Sequence, residues 1–569
     1  GENNGGAGAN GKVIITYTLP NAPTITLGSN PSVCVGSTSA NLIYSATTGC
    51  PDRYSIDFNS GISDVADATL TDPITITLPD GLASGTYTGT LTVKNSTYGF
   101  VSQTYSISIT IDATNTWTGG TSTAWSLPAN WSCGTVPVAA SNVVIPTGLT
   151  NYPVVNITSA VCNNLSIADG ASLTVNPGQL LTVGGTITGT STAANASKIR
   201  VKASPDGTTA NGSLIINCAA NTGNPVFGTV EFYTKGNKAT TSVTWTDKID
   251  GSPTNGTTFN SNYQWQFFGV PVKEVVANPT FYGSFLRKYR EDLNSTTTGK
   301  WEILNNTSKL EAFEGYEITQ AAPKMIEIAG ELQFCDKTLT LTRIAPVATD
   351  NIRFGLGQNI FGNSYTAAIK ISKMVNTDDK VEKTVYLYNT GSLADWNAAD
   401  LITSPANNAT MTAGSYISIP WNTSNTVWDD QIPSMQGFLL KYTTAQTNFN
   451  NNAAENAQVT LKYDDGGVAG NTRPQLAPKA AEEPLSYLRV NLQSKTTTDN
   501  LWLFSREGTS SSFDNGWDGH KHFGTPTAFI YSMTPDGPMQ VNTDRTIDGS
   551  VINFYANEDT EYTLTLVKS

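Results

Sequence analysis

The most regular feature of the sequence is the alternation of apolar and polar positions. Thr86–Val93 (TYTGTLTV) and Thr104–Ile111 (TYSISITI) place an apolar or small residue at every second position, with Thr or Ser between. Near the end of the chain, Tyr562, Leu564 and Leu566 alternate in the same way. This period of two, with many β-branched residues, is typical of strands that bury one face. No long segment carries the apolar stripe of an amphipathic helix.

Turn signals separate these stretches. Asp-Gly and Asn-Gly pairs supply the positive φ angles that tight hairpins need. They occur at Asp80-Gly81, Asp169-Gly170, Asp206-Gly207, Asn255-Gly256, Asp465-Gly466, Asn515-Gly516, Asp536-Gly537 and Asp548-Gly549. The pattern predicts an all-β chain of tandem Ig-like β-sandwich domains.

One region differs from the sandwich pattern. Three apolar pairs recur every eight residues, with Gly or Pro turns between them: Leu165 with Ile167, Leu173 with Val175, and Leu181 with Val183. If each short strand stacked on the next, the aliphatic side chains would form one buried column. We therefore predict a short β-solenoid-like module, with a sandwich that has a ladder-like edge as the alternative.

Two later regions share landmarks in the same order: a Gly motif, an aromatic strand, a Trp and a second Gly motif. The first region has them at Gly269, Leu286–Arg290, Trp301 and Gly315, and the second at Gly362, Val385–Asn389, Trp396 and Gly437. This order predicts two copies of one β-sandwich module.

These patterns divide the chain into seven predicted segments. They are the end of a Gly-rich tract (1–19), a sandwich (20–114), the solenoid-like module (115–224), module copy 1 (225–345), module copy 2 (346–465), a Gly/Pro/Ala-rich linker (466–484) and a C-terminal sandwich (485–569).

Composition excludes several classes of function. The 569 residues carry a net charge of −13, and only 14% are charged. Such a surface cannot neutralise many phosphates, so we expect no nucleic-acid partner. No apolar run is long enough to span a bilayer. Because Gly1 follows neither an initiator Met nor a signal peptide, we expect it to be an internal or processed start.

The six cysteines suggest an oxidising compartment, because their number is even and none forms a Cys-x-x-Cys motif. Fifteen pairings are open in principle. Clustering along the chain favours Cys34–Cys50, Cys133–Cys162 and Cys218–Cys335. The alternative is a set of free buried thiols.

Candidate catalytic and metal-binding residues are sparse. The chain has two histidines, His520 and His522, which with Asp518 could contribute to a zinc site. Two solvated histidines beside an aromatic turn are the better interpretation. We find no nucleophile elbow and no phosphate-binding loop. We therefore predict no enzymatic activity, no resident cofactor and no catalytic or metal site.

Acidic residues offer two further possibilities, and surface charge or turn chemistry explains both better. Carboxylate pairs for glycoside hydrolysis could be drawn from Glu311, Glu314 and Glu317, or from Asp429 and Asp430. Structural Ca²⁺ could bind the acidic turns at 464–466 and 514–518. The basic cluster of Arg287, Lys288 and Arg290 is expected on the solvated side of a strand.

Three tryptophans, Trp117, Trp125 and Trp131, lie close together in a stretch rich in Thr, Ser and Gly. Exposed indole rings could stack on sugars, whereas buried ones would close the end of a β-domain. The buried interpretation is favoured, and glycan stacking is kept as the alternative.

Several motifs resemble those of large secreted surface proteins of Bacteroidota. WTGGTSTAWSLPANWSCGTVP and AVCNNLSI resemble one common module of these proteins, and PSVCVGSTSANLIYS, YSIDF and GTYTGTLTV resemble their Ig-like (PKD-like) repeats. GNSYTAAI, VYLYNTG and IPSMQGFLLKY resemble their tandem sandwich module, and GGAGANGKVIITY resembles the end of their Gly-rich tracts. SSFDNGWDGHKHFG resembles the FDxxYDAYKLFG motif of their penultimate domain, with His520 and His522 at non-ligand positions.

The resemblance implies the C-terminal part of a large adhesin that is exported by the type IX secretion system and displayed at the cell surface. Its expected partners are the outer-membrane secretion and anchoring machinery, with surface glycans or other cells as candidate ligands, and gliding motility as a candidate role. Such proteins close with a sorting domain, and this sequence stops at YTLTLVKS without one. We therefore expect an elongated, disulfide-braced stalk segment; the alternative is a carbohydrate-binding accessory region of a secreted polysaccharide-active protein.

Overall fold

The computed structural model describes most of the chain. The described residues are 11–14, 21–205, 209–234, 243–245, 249, 257–259, 265–293, 300–320, 323–343, 357–378, 380–388, 416–424, 431–442, 455–472, 485–495, 497–523, 528–557 and 559–568. They form an all-β protein of two compact units, Gly1–Asn115 and Thr116–Ser569. No described helix combines the length and hydrophobicity needed to cross a membrane.

The first unit is a β-sandwich. Its strands are β1 (Thr24–Leu27), β2 (Ser32–Cys34), β3 (Ser39–Leu42), β4 (Tyr44–Thr48), β5 (Arg53–Phe58), β6 (Val65–Thr69), β7 (Ile74–Thr77), β8 (Gly85–Asn95), β9 (Phe100–Val101) and β10 (Tyr105–Asp112). The main sheet has the order β2-β10-β8-β5-β6 with β9 on β8, and β1-β4 and β3-β7 form two short sheets. Alternation was a sound guide here, because Leu91 and Val93 of β8 and Ile109 of β10 have no solvent exposure. Strand β11 (Thr114–Thr116) lies at the boundary between the units.

The second unit begins with a three-faced β-helix. Its strands are β12 (Asn142–Ile145), β13 (Val154–Val155), β14 (Ala160–Cys162), β15 (Leu165–Ile167), β16 (Leu173–Val175), β17 (Leu180–Val183), β18 (Ile187–Thr188), β19 (Ile199–Val201), β20 (Ser213–Ile216) and β21 (Phe227–Thr234). They form parallel ladders β12-β15-β18, β13-β16-β19-β21 and β14-β17-β20, and β30 (Lys324–Glu331) extends the second of these antiparallel to β21.

The solenoid-like expectation was correct in kind but wrong in its stacking. Strands eight residues apart, β15, β16 and β17, lie in three different sheets. The turns between them redirect the chain onto the next face, so each strand stacks on a strand one full coil away. Asn164 shows the repeat, because its amide contacts Asn142 and Thr186, each 22 residues away. The interior column is aliphatic, with Leu165, Leu173 and Leu181 fully buried.

The middle of the second unit contains two sheets of the same topology. Its strands are β22 (Val243–Trp245), β23 (Thr257–Phe259), β24 (Gln266–Phe268), β25 (Glu274–Val276), β26 (Phe285–Tyr289), β27 (Trp301–Ile303), β28 (Lys309–Glu311), β29 (Tyr316–Thr319), β31 (Lys337–Arg343), β32 (Gln358–Gly362), β33 (Ala368–Ile369), β34 (Thr384–Tyr388), β35 (Tyr416–Pro420), β36 (Gly437–Lys441), β37 (Glu455–Leu461) and β38 (Val468–Ala469). One sheet has the order β24-β29-β26-β27 and the other β32-β36-β34-β35. In both sheets, the strands lie side by side in the order first, fourth, second, third, as numbered along the chain.

The two sheets meet around a pair of glycines. A Cβ on Gly269 would lie 2.5 Å from the Cα of Gly362, so neither position has room for a side chain. The contacts beside this crossing are reciprocal: Phe268 bridges to Gln436, and Phe361 bridges to Glu314. The two copies therefore pack as a pseudo-symmetric pair.

The backbone repeats this symmetry just before each second Gly motif. Phe313 and Met435, in equivalent positions, both adopt positive φ, 66° and 61°. At the strand position of Trp301, which pairs with Tyr289, the second sheet has Tyr416, which pairs with Tyr388. The predicted landmark Trp396 lies outside the described residues.

The last part of the second unit is one large sheet. Its strands are β39 (Ser486–Ser494), β40 (Thr498–Ser505), β41 (Gly519–His520), β42 (Phe529–Thr534), β43 (Gly537–Asp544), β44 (Ile552–Tyr555) and β45 (Tyr562–Lys568), in the order β44-β42-β43-β40-β39-β45 with β41 on β43. The alternation in β45 predicted a strand with a buried face, but Leu564 and Leu566 are 54% and 65% exposed. β45 is an edge strand, and nothing in the described chain covers these two side chains.

The modules predicted for the second unit share cores. One apolar cluster runs from Trp117 to Met435, and another from Phe313 to Val541. The described start of the predicted linker is also folded, because β38 pairs with β33 and Asn471 is buried. Its amide donates to the Gly212 carbonyl at 3.0 Å, which ties the β-helix to this segment. Residues 473–484 lie outside the described part of the chain.

Helices are short throughout the described chain. The α-helix α1 covers Ala277–Thr280, and 3₁₀ turns cover Pro128–Asn130, Ala193–Lys198, Ala219–Asn221 and Ile371–Lys373.

Candidate functional site

The three clustered tryptophans close the first coil of the β-helix. Trp117 and Trp125 have no exposed surface, and Trp131 is 3% exposed. The Trp131 ring makes edge contacts with both others, at centroid distances of 4.9 and 4.7 Å. Its Nε1 donates to the Trp125 carbonyl at 2.8 Å, and Trp117 Nε1 donates to the Asn151 carbonyl at 2.8 Å. Buried rings cannot stack on a sugar, so these residues are not the glycan platform that the alternative required.

Two of the three expected disulfide pairings differ from those in the structure. Cys218 and Cys335 form a disulfide across 117 residues, as expected. Cys50 and Cys162 are free thiols, so the expected bonds Cys34–Cys50 and Cys133–Cys162 are wrong. Cys162 occupies the aliphatic column of the β-helix, where burial raises its pKa to about 12. Cys34 and Cys133 are also disulfide-bonded.

His520 is buried and His522 is half-buried, because they lie where the second tandem sheet meets the C-terminal sheet. The centre of this contact is Glu382, which has no exposed surface. Its carboxylate lies 2.9 Å from Lys441 Nζ and 3.2 Å from His520 Nδ1, and it accepts a hydrogen bond from the Tyr386 hydroxyl. We call Glu382, Tyr386, Lys441, His520 and His522 the buried polar cluster.

Charge balance explains how this cluster is tolerated. Burial alone would raise the pKa of Glu382, but Lys441 and His520 outweigh it and hold that pKa at about 2. His522 packs edge-on against the Tyr386 ring at 4.4 Å. Burial, with Lys441 nearby, lowers the pKa of His522 to about 3, so it is neutral at pH 7. The cluster thus holds a charged carboxylate and a neutral imidazole in one enclosed contact.

The segment around the histidines works as a docking loop, which we define as residues 511–523. Asn515 accepts the Lys383 amide at 2.6 Å and donates to the Val381 carbonyl at 3.0 Å. Thr384 Oγ1 donates to the Asp518 carbonyl at 2.8 Å. The loop residues that resemble a family motif therefore attach the C-terminal sheet to the second tandem sheet.

The carboxylates of Asp518 and Asp514 accept hydrogen bonds within and beside their turn. Asp518 accepts backbone amides from Asp514 at 2.7 Å and Thr543 at 2.6 Å. Burial raises the pKa of Asp518 to about 8. At the other acidic turn, Asp336 accepts the backbone amides of Tyr463 and Asp464. In the part of the chain that the structure describes, no group of three or more His, Cys, Asp or Glu residues could hold a metal ion.

The candidate glycosidase carboxylates brace neighbouring strands. Glu317 is buried and ion-paired with Arg287, whose guanidinium lies between the rings of Trp265 and Trp301 at 4.0 and 4.3 Å. Burial raises the pKa of Glu317 to about 7, although Arg287 opposes the shift.

The remaining acidic and basic candidates have equally local roles. Glu314 pairs with Lys288 at 3.2 Å, and Glu311 donates its backbone amide to the Tyr316 hydroxyl. Arg290 pairs with Asp292 and Glu302. The basic cluster is therefore engaged in ion pairs rather than simply solvated. Asp429 and Asp430 lie outside the described residues.

The comparison with known proteins gives a domain boundary at the same residue as the structure does. The family model described as "Domain of unknown function (DUF8693)" matches residues 116–568. The chain belongs to the DUF8693 family. The match begins at the first residue of the second compact unit, so the DUF8693 domain comprises the β-helix, both tandem sheets and the C-terminal sheet together.

The chain also has a curated relative. It is 29% identical over 488 residues to the Minor fimbrium subunit Mfa5 of Porphyromonas gingivalis, which covers 79% of this chain and 35% of that protein. The chain thus spans about a third of the length of the relative that it matches. The match agrees with the expected relationship to Bacteroidota surface proteins at the level of a fimbrial relative.

Sequence patterns missed the central residues of the DUF8693 domain. Glu382 and Lys441 lie 59 positions apart in the sequence numbering and meet only because β36 returns beside β34. Lys521 and Asp499 form a second buried pair, with both carboxylate oxygens 2.7 Å from Nζ. Charged residues in or directly beside strands with apolar positions were the available signal, since such residues are rarely buried unless paired.

Proposed function

We propose that the chain is a non-enzymatic segment of a bacterial surface protein, either a fimbrial component or an adhesin. The observation that carries this proposal is the relationship to a minor fimbrium subunit over 79% of the chain. Because the relative is much longer, the role of the whole protein is part of the proposal.

The architecture supports a load-bearing role. Sheets and cores continue across the segments of the DUF8693 domain, and buried ion pairs hold its C-terminal sheet in place. The polar residues considered for catalysis are occupied in bracing contacts. These contacts favour a structural role over chemistry at a reactive centre.

We extend the proposal to export by the type IX secretion system and association with the outer membrane. This extension is supported by the motif resemblance alone, and gliding motility is its most specific form. The PKD-like assignment of residues 20–114 has the same support, together with the sandwich fold of the first unit.

The experiment is surface digestion of intact source cells, followed by immunoblotting with antibodies raised against this chain. We expect proteinase K to remove the signal from intact cells while a periplasmic control protein survives. Deleting a core component of the type IX apparatus should leave the chain inside the cells. Protection in intact wild-type cells would contradict surface display, whereas unchanged display in the mutant would contradict only the export route.

A further inference from the structure

A groove of about 430 Å³ runs along one corner of the β-helix. It is lined by residues that lie in or shortly after successive strands of the sheet β13-β16-β19-β21-β30. Its volume is within the range of about 300–1,000 Å³ that is usual for ligand sites. The tryptophans discussed above take no part in it.

Strand register places four polar side chains of this groove in a row. Val155, Val175, Val201 and Val230 are aligned partners in consecutive strands. The residues directly after these valines are Asn156, Asn176, Lys202 and Glu231, and all four line the groove. Adjacent strands lie about 4.8 Å apart, so the row extends about 14 Å parallel to the coil axis.

The middle of this row is available to a ligand, while its ends are fixed. Asn156 exchanges hydrogen bonds with Ser126, and Glu231 is ion-paired with Arg200 at 3.1 Å. Among the described residues, neither the side-chain amide of Asn176 nor the ammonium of Lys202 has a hydrogen-bond or ion-pair partner. Both side chains are only partly exposed.

The chemistry of the groove favours hydroxyl groups together with an anion. Amide side chains donate and accept hydrogen bonds, which suits sugar hydroxyls, and Lys202 suits a carboxylate. Gln179 adds a further amide, and Met325 adds an apolar wall.

An extended peptide is disfavoured because the local backbone is already paired. The backbone N–H of Asn176 donates to the Val155 carbonyl at 3.3 Å, and the backbone N–H of Lys202 donates to the Val175 carbonyl at 2.9 Å. The groove therefore offers no open strand edge for β-augmentation.

We propose that this groove binds a linear oligosaccharide that carries carboxylate groups, of the uronic-acid type. Lys202 contacts a carboxylate, Asn176 contacts hydroxyls of the same or the neighbouring sugar, and the row fits a ligand laid along the coil axis. This inference rests on the proposed surface function, which it deepens by naming a ligand class.

The test is isothermal titration of the whole chain with a galacturonic acid hexamer and with a neutral galactose hexamer. Hydrogen bonds to charged groups are strong enough that Lys202→Gln should weaken binding of the acidic hexamer about 10- to 100-fold. Asn176→Ala should weaken it about 5- to 10-fold. The matched control is Lys373→Gln, which changes an exposed lysine elsewhere and should leave affinity unchanged.

Three outcomes would overturn the proposal: neither hexamer binds, the neutral hexamer binds as tightly as the acidic one, or Lys373→Gln weakens binding as much as Lys202→Gln. Circular dichroism melting of each variant shows that the fold is retained. Surface digestion of cells tests the proposed function separately, so a surface protein without this ligand and a ligand-binding protein without surface display are distinguishable.

Discussion

Replacing Glu382 by alanine removes the centre of the buried polar cluster. Glu382 lies just before β34, while Lys441 ends β36 and His520 belongs to the docking loop. The carboxylate therefore joins three segments that are distant in sequence. In the Glu382→Ala variant, Lys441 remains at a site where its side chain is only 10% exposed, without its anionic partner.

The expected cost follows from that uncompensated charge. Removing one partner of a buried ion pair destabilises a protein by about 3–5 kcal/mol, because the other charge stays desolvated. An exposed pair gives a useful contrast: Lys309 and Glu274 are 2.9 Å apart with side chains 56% and 53% exposed. Lys309→Ala should cost about 0–1 kcal/mol.

The assay is guanidinium unfolding of the whole chain at pH 7, followed by tryptophan fluorescence. We expect the transition that includes the C-terminal sheet to move to clearly lower denaturant in Glu382→Ala and hardly at all in Lys309→Ala. The double variant Glu382→Ala/Lys441→Ala should recover part of the loss, since it removes the stranded charge as well. If Glu382→Ala proves no more costly than Lys309→Ala, the reasoning about the cluster is refuted.

Three further changes test other contacts. In differential scanning calorimetry, Gly269→Ala should reduce thermal stability sharply, because its Cβ would meet the backbone of Gly362. The control Gly120→Ala should not, because the atom nearest to its Cβ is 3.9 Å away. His522→Phe should make the free energy of unfolding less dependent on pH. The pKa of His522 is about 3 in the folded chain and about 6.5 in the unfolded chain, so the neutral imidazole stabilises the fold above pH 6.5 and this stabilisation is lost as the pH falls towards 3. A flat difference between His522→Phe and the native chain from pH 7 to pH 3 would contradict this. Cys218→Ser should lower stability by about 4–5 kcal/mol through loss of a bond that closes 117 residues. Dithiothreitol should destabilise the native chain more than the variant, in which Cys34 and Cys133 are still disulfide-bonded.

Local patterns predicted the elements of this fold well. The alternation in β8 and β10 reports directly on burial, since a strand with one covered face needs apolar residues at every second position. The same pattern failed for Leu564 and Leu566, because alternation predicts which side chains share a face but not whether anything covers that face. The eight-residue repeat likewise predicted strands of the β-helix, but it did not predict the turn angles that place consecutive strands on different faces.

Long-range contacts were beyond the reach of these patterns. Clustering of cysteines along the chain suggested local bridges, yet Cys162 is buried among aliphatic side chains and is a free thiol. The histidines looked solvated because their partner Glu382 is more than a hundred residues away in sequence. The row of Asn176 and Lys202 also required strand register, because the two residues are separated by one full coil of the chain.

The most direct test of the central claim is immunogold electron microscopy of intact source cells, with antibodies raised against this chain. A fimbrial or adhesin segment predicts gold particles outside the cell envelope, on filaments or on the cell surface, and their loss in a strain that lacks the protein. Labelling that appears only in sectioned cells, within the cytoplasm or periplasm, would contradict the account.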